Sequence, residues 1–137
     1  MSQFTLRDWR DSDLDVVASW WDTDDSLRTI LGADPLKHLD EHMPERLVAT
    51  NGASDTPVCV VGMRVFDDVG VPHIVMDPEY RKGFNAMTIC RGAEQIAKSR
   101  GIKHLVTFPH IESKHTRALA RYMRLKAAPV IVMTREL

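Results

Sequence analysis

Three groups of residues in this chain could do chemistry by type and spacing. His38, Glu41 and His42 stand in the spacing H-x-x-E-H. On a helix this puts two imidazoles on one face, able to hold zinc, with the carboxylate as base for a metal-bound water. Three fixed positions in five residues is a pattern that chance supplies often, so a solvated acidic helix is the competing reading. Lys114, Arg117, Arg121, Arg124 and Lys126 form a basic run in which Arg117, Arg121 and Arg124 share a helical face. Such a face can track phosphates. It has no stacking aromatics or DNA-reading motif beside it, so solvent or a partner protein is expected there and nucleic acid is not. Cys59 and Cys90 sit in apolar contexts and read as buried free thiols rather than a disulfide or a catalytic pair.

The elements that must position these groups are legible from periodicity. At 137 residues, with 44% apolar and 27% charged side chains, the chain is one ordinary domain, 1–137, with enough apolar residues for a core. No apolar run approaches the ~18 residues of a membrane span. The start, MSQFTLRDWRD, lacks the apolar stretch of a signal peptide, so a cytoplasmic location is expected. Charge is divided: residues 1–55 hold 12 acidic and 5 basic side chains, and residues 56–137 hold 7 and 13. The basic half suits an anionic ligand, or the two halves attract each other.

Phe4 to Arg7 reads as a first strand. Leu14, Val16, Val17, Trp20 and Trp21 follow helical spacing behind Ser12 or Asp13 as cap. Asp34 to His42 predicts a second helix, with Pro35 in its first turn. Strands are predicted at 46–50, 57–66 and 71–76, with Asp67 to Gly70 as the turn between the last two. The period then changes. Asn85 to Ser99 is an amphipathic helix closed by Gly101. A strand at 104–108, a helix at 113–126 with Ala118, Leu119, Tyr122 and Leu125 as its apolar stripe, and a strand at 129–134 follow. Strands alternating with helices after residue 71 require crossovers, hence an α/β domain with a mixed sheet.

The segment His73 to Phe108 is where a resemblance becomes specific. Val75, Asp77-Pro78-Glu79-Tyr80-Arg81, Arg91, Ala93-Glu94, Ala97-Lys98, Gly101-Ile102 and Leu105 are similar to the acyl-CoA-binding core of the GNAT superfamily of N-acetyltransferases. The resemblance implies the GNAT fold, truncated at its C-terminus, and acetyl-CoA as cofactor. It implies that the backbone of Ile74, Val75 and Met76 orients the pantetheine. Its pyrophosphate would lie on the helix N-terminus formed by Arg81, Lys82, Gly83, Phe84, Asn85 and Ala86. The family pattern Arg/Gln-x-x-Gly-x-Gly/Ala places Arg81 first and Ala86 last, and its middle glycine falls on Phe84. Either Phe84 crowds the phosphates and plugs the cleft, or Gly83, one residue earlier, does the wrapping.

The same resemblance implies Tyr122 as the acid that protonates the departing thiolate, with the family's usual asparagine falling on His115. A half-buried helix residue is the other reading of Tyr122. His73 and Glu112 are the candidates for a base, against ordinary strand and surface residues; His110 reads as ordinary. The implied activity is transfer of an acetyl group to an amine of a small molecule, peptide or protein. The alternative is a catalytically degenerate GNAT-fold interaction protein without cofactor, of the kind that small degenerate members resemble among virion proteins of tailed phages. Only one strand follows the last helix, so a second copy or a partner protein can complete the sheet.

Overall fold

A computed structural model describes residues 3–23, 32–107, 114–126 and 133–136. The elements run β1 (Thr5–Asp8), a 3-10 turn at Asp11–Asp13, α1 (Leu14–Thr23), α2 (Pro35–His42), β2 (Glu45–Thr50) and β3 (Pro57–Phe66). They continue with β4 (Val69–Met76), a 3-10 turn at Pro78–Tyr80, α3 (Asn85–Ser99), β5 (His104–Leu105) and α4 (Lys114–Tyr122). The sheet order is β1-β2-β3-β4-β5, with three antiparallel pairings and a last parallel one between β4 and β5. The predicted mixed sheet is therefore present.

Strand alternation divides the apolar residues between two faces. On one, Ala49, Cys59, Val61 and Met76 pack against Ile89 and Ala93 of α3. On the other, Val60 and Val75 pack against Val17, Trp20 and Trp21 of α1 and Leu39 of α2, with Met43 just beyond it. The Trp21 indole N–H finds an acceptor at the Gly32 carbonyl, 3.0 Å away, so the buried ring leaves no donor stranded. Asp34 caps α2 by accepting from the Lys37 N–H at 3.1 Å, as its place before Pro35 requires.

The entry to α1 is fixed by charge. Arg7 on β1 holds Asp13 with two hydrogen bonds of 2.9 and 2.8 Å, and Asp13 accepts from the Arg10 N–H at 2.8 Å. Asp55, from the loop after β2, joins both Arg7 and Arg10. Burial works to raise the Asp13 carboxyl, but the bonds from Arg7 and from the Arg10 backbone outweigh it and hold it below its ordinary value.

Two expected boundaries are corrected. The hairpin after β3 turns on Asp67-Asp68 alone, with Asp67 at φ 54°, and Val69 and Gly70 already belong to β4. The strand expected at 104–108 keeps only two paired residues, and Phe108 lies outside the described residues. Of the strand expected at 129–134, residues 129–132 lie outside the described residues, and Met133 and Thr134 are not in a strand. The helix expected at 113–126 ends at Tyr122 because Arg124 takes a left-handed φ of 60°.

Gly62 is demanded by close approach. A Cβ there would lie 2.6 Å from the Glu45 carbonyl oxygen and 2.9 Å from the Met43 Cβ. Backbone on one side and a fully buried methionine on the other leave nothing to move aside. Gly62→Ala is expected to cost roughly 3 kcal/mol, the upper part of the overpacking range. A lowered urea midpoint with unchanged slope would show it.

Candidate functional site

The site begins with what the fourth strand does not pair. The carbonyls of Asp68 and Gly70 accept from β5 and its approach, the first from Lys103 and His104 and the second from Val106 at 2.9 Å. Backbone groups alternate along a strand, so residues 70, 72, 74 and 76 all present their N–H and C=O to this edge. The next residue in that series is Pro72, which has no N–H to give. Among the described residues the ladder stops: the paired residues are Val69 with His104 and Gly70 with Leu105, and on this edge β4 runs on to Met76 without a partner. The N–H groups of Ile74 and Met76 thus face the wedge opened between the two strands.

The wedge gives onto a cavity of about 370 Å³. Val71 to Ile74 of β4, Leu105 of β5, Ala93 and Ile96 of α3, and Leu119 and Met123 from α4 and the turn after it line it. Ile96 is only half-buried because it borders the cavity, and Ala97 takes the buried position. Cys90 also lines it. Burial, then the nearby Glu94, pushes its thiol up to about 11, so it is no thiolate at neutral pH. Cys59 is fully buried and raised likewise; both are free, as expected.

At the far end of β4 the chain turns toward the N-terminus of α3. Arg81 donates from Nε to the Met76 carbonyl at 3.1 Å, tying the loop to the strand. The Asn85 amide donates to the Tyr80 carbonyl at 3.0 Å and accepts from Gln3. Gly83 has φ 59°, a conformation other residues adopt at a cost, and a Cβ there would meet nothing within 4 Å. No side chain caps the first turn of α3, so its leading N–H groups are left to a ligand or to water. Phe84 is 71% exposed. The expectation that it turns inward to plug the cleft is corrected: with Gly83 in the left-handed region, residue 84 becomes the N-cap and its ring stands in solvent.

Among the described residues the proton-transfer candidates Tyr122 and His73 are not brought together. Tyr122 is 37% exposed, does not line the cavity, and lies under the Arg91 guanidinium, 4.7 Å from its ring centroid. Its expected place in an apolar stripe is corrected too: Leu119, Ala120 and Met123 form the inward face. His73 turns to the opposite face of the sheet from α3 and meets His38 and His42, with ring centroids 6.1 and 5.0 Å away. Glu112 and His110 lie outside the described residues, and His115 is the second residue of α4. Lys82 is exposed beside Gly83. Among the described residues no three His, Cys, Asp or Glu side chains are gathered to hold a metal ion. No described helix is long and apolar enough to cross a membrane.

Sequence reasoning missed Pro72 as the residue that opens the sheet, although a proline inside a β-branched run is a visible signal. It also missed the meeting of the H-x-x-E-H histidines with His73, which only the sheet register could reveal.

Comparison with solved structures settles the architecture. An acetyltransferase of the GNAT family from Bacillus anthracis superposes with a TM-score of 0.74 over 88% of this chain and 78% of its own, at 11% identity. The chain has the GNAT acetyltransferase fold. An N-acetyltransferase from Staphylococcus aureus Mu50 gives 0.64 over 90% and 83%, at 14% identity. N-acetylglutamate synthase from Neisseria gonorrhoeae, solved with coenzyme A and N-acetyl-glutamate, gives 0.66 over 89% of this chain and 28% of its own, at 16% identity. No family model and no curated protein matches the sequence. The comparisons lend no support to the virion alternative.

Two substitutions test the GNAT-fold site. Phe84→Gly is expected to change stability by less than about 1 kcal/mol, since an exposed ring is lost and a flexible backbone gained; calorimetry checks it. Pro72→Val restores the missing donor. Amide exchange at residues 104–107 is expected to slow roughly 5–10-fold, the worth of one net hydrogen bond.

Proposed function

We propose that the chain is an acetyl-CoA-dependent N-acetyltransferase acting on an amine acceptor. The single observation that supports this best is the wedge: a strand edge whose N–H groups at Ile74 and Met76 meet no partner among the described residues, followed along the chain by a helix whose first turn no side chain caps. The residues fit the cofactor in kind. Gly83, the exposed Phe84 and the first turn of α3 offer backbone donors without a side chain in the way, which suits a pyrophosphate. The apolar cavity lining suits the pantetheine arm and excludes water. Bound acetyl-CoA would supply an activated acyl carbon for attack by the amine.

The chain's own contribution is then positioning and polarisation. The Ile74 and Met76 N–H groups are fixed donors, and a donor held rigidly beside a carbonyl stabilises the charge that develops on it. Arg81 keeps the end of β4 in place through the Met76 carbonyl. This reading gives Tyr122 and His73 no proton to move, because one ring lies under Arg91 and the other among histidines on the far face of the sheet. That placement is also what favours the second reading, a GNAT fold kept for binding or interaction without transfer.

The experiment is a thermal melt with acetyl-CoA, followed by thiol release with a panel of amines. At a ligand concentration of 100 times Kd, stability should rise by about 2.7 kcal/mol, a shift of roughly 10 °C for a domain of this size. Gly83→Val forces a β-branched residue into the left-handed region and should weaken the shift at least ~10-fold in affinity. Binding without thiol release from any amine would favour the second reading. Millimolar acetyl-CoA leaving the melt unmoved would count against both the cofactor and the reaction.

A further inference from the structure

A cluster on the face of the sheet opposite α3 is unused by acyl transfer. His38 and His42 stand at i and i+4 on α2, and His73 projects from β4 on the same face as Val75. Their ring centroids are 4.7 Å apart for His38 and His42, 5.0 Å for His42 and His73, and 6.1 Å for His38 and His73. His38 is 6% exposed, and its Nε2 is buried without a hydrogen-bond partner. The Trp21 ring of α1 closes the cluster, 6.2 Å from His38.

Among the described residues the charged groups around it offset a proton only in part, through Glu41. From α2, Glu41 faces Lys37 and Asp40 faces Arg46. From β3, Arg64 adds a positive charge that acts on His73. Arg46 of β2 is itself held by Asp40 and lies over Trp9. Trp21 is the ring α1 contributes, and it brings no charge. Among the described residues no carboxylate forms an ion pair with any of the three rings.

We propose that this histidine cluster is a proton-operated latch: with His38 and His73 neutral α2 is seated against the sheet, and proton uptake by these two rings unseats α2 while the sheet and α3 stay folded. An eight-residue helix is too short to persist once its packing is lost, so unseating is local melting. The directions agree. Burial, then the charges of His42 and His73, push His38 down to about 4, with Glu41 opposing weakly. Burial, then His42 and Arg64, lower His73. A histidine with a depressed value in the seated state binds protons more readily when unseated. Seating is therefore intact above the ordinary imidazole range near 6.5 and is lost as pH falls from there toward 4. His38 alone gives a change on the order of 30-fold at pH 5. Asp13, held below its ordinary value by Arg7, loses its contribution only at lower pH, outside this window.

The latch stands apart from the acetyltransferase reading, and its test needs no cofactor. Amide exchange of the full chain is followed from pH 7.5 to pH 5, corrected for intrinsic rates, for wild type, His38→Leu and His73→Gln. Residues 35–42 should lose protection on the order of 30-fold in the wild type while α3 and β3 keep theirs. His38→Leu should flatten that dependence and His73→Gln should reduce it, with far-UV circular dichroism showing each folded. Uniform loss of protection across the sheet would mean global acid unfolding and would overturn the latch. So would an unchanged pH profile in His38→Leu. One equivalent of zinc at pH 7.5 that protects α2 in the wild type and not in His38→Leu would make the cluster a metal site instead, and the latch would fall.

Discussion

A missing hydrogen governs the architecture around the site. Parallel strands hold together by evenly spaced bonds, and each unpaired buried donor or acceptor carries a cost. Pro72 removes one donor from the edge of β4 at the point where pairing with β5 would continue. Among the described residues the pairing ends there, the N–H groups of Ile74 and Met76 meet no partner on that edge, and Ile96 lines the cavity beside it. The other side of β4 could not be opened in the same way. Eight register pairs from Cys59–Met76 to Phe66–Val69 hold it to β3, so the strand stays straight while one edge is bare.

The two faces of β4 are built for opposite ends. Toward α3 they are apolar and include a void. Toward α1 and α2 they are close-packed, with Val17, Leu39, Met43 and Val60 fully buried. Charge then fixes how those helices enter: the Arg7–Asp13 pair at one end, and Arg46 between Asp40 and the Trp9 ring at the other. Removing Arg7 would leave a nearly buried carboxylate without its partner, which is why such pairs are hard to break even where they add little net stability. The polar atom that this face leaves unsatisfied on its own histidines is His38 Nε2.

Much of this was legible in the sequence, and the limits have physical causes. The bounds of α3 and β3 coincide with Asn85–Ser99 and Pro57–Phe66, because strong periodicity and a clean cap or turn agree there. Asp34 and Pro35 announced the start of α2. The end of β5 was not legible, since its own residues HLVTF favour a strand, and the interruption comes from Pro72, thirty-two residues before His104 in the chain. Tyr122 falls on a helical stripe by spacing, yet its half-exposed ring lies under the exposed Arg91 of α3, a contact worth about 0.5–1 kcal/mol.

Phe84 shows the same limit at the scale of one residue. Aligned by spacing, it occupies the position of a phosphate-wrapping glycine, and steric reasoning makes it an obstruction. Spacing assigns a position along the chain, whereas obstruction depends on the direction of Cβ, which the backbone dihedrals set. Gly83 at φ 59° reverses the chain one residue earlier than the pattern supposes. After that reversal the residue entering the helix points its side chain to solvent, and its carbonyl accepts the Thr88 N–H at 2.9 Å as the first helical bond. A glycine at 83 therefore makes any residue tolerable at 84. The large apolar ring costs the fold little where it stands, and the backbone donors beside it remain available to an anion.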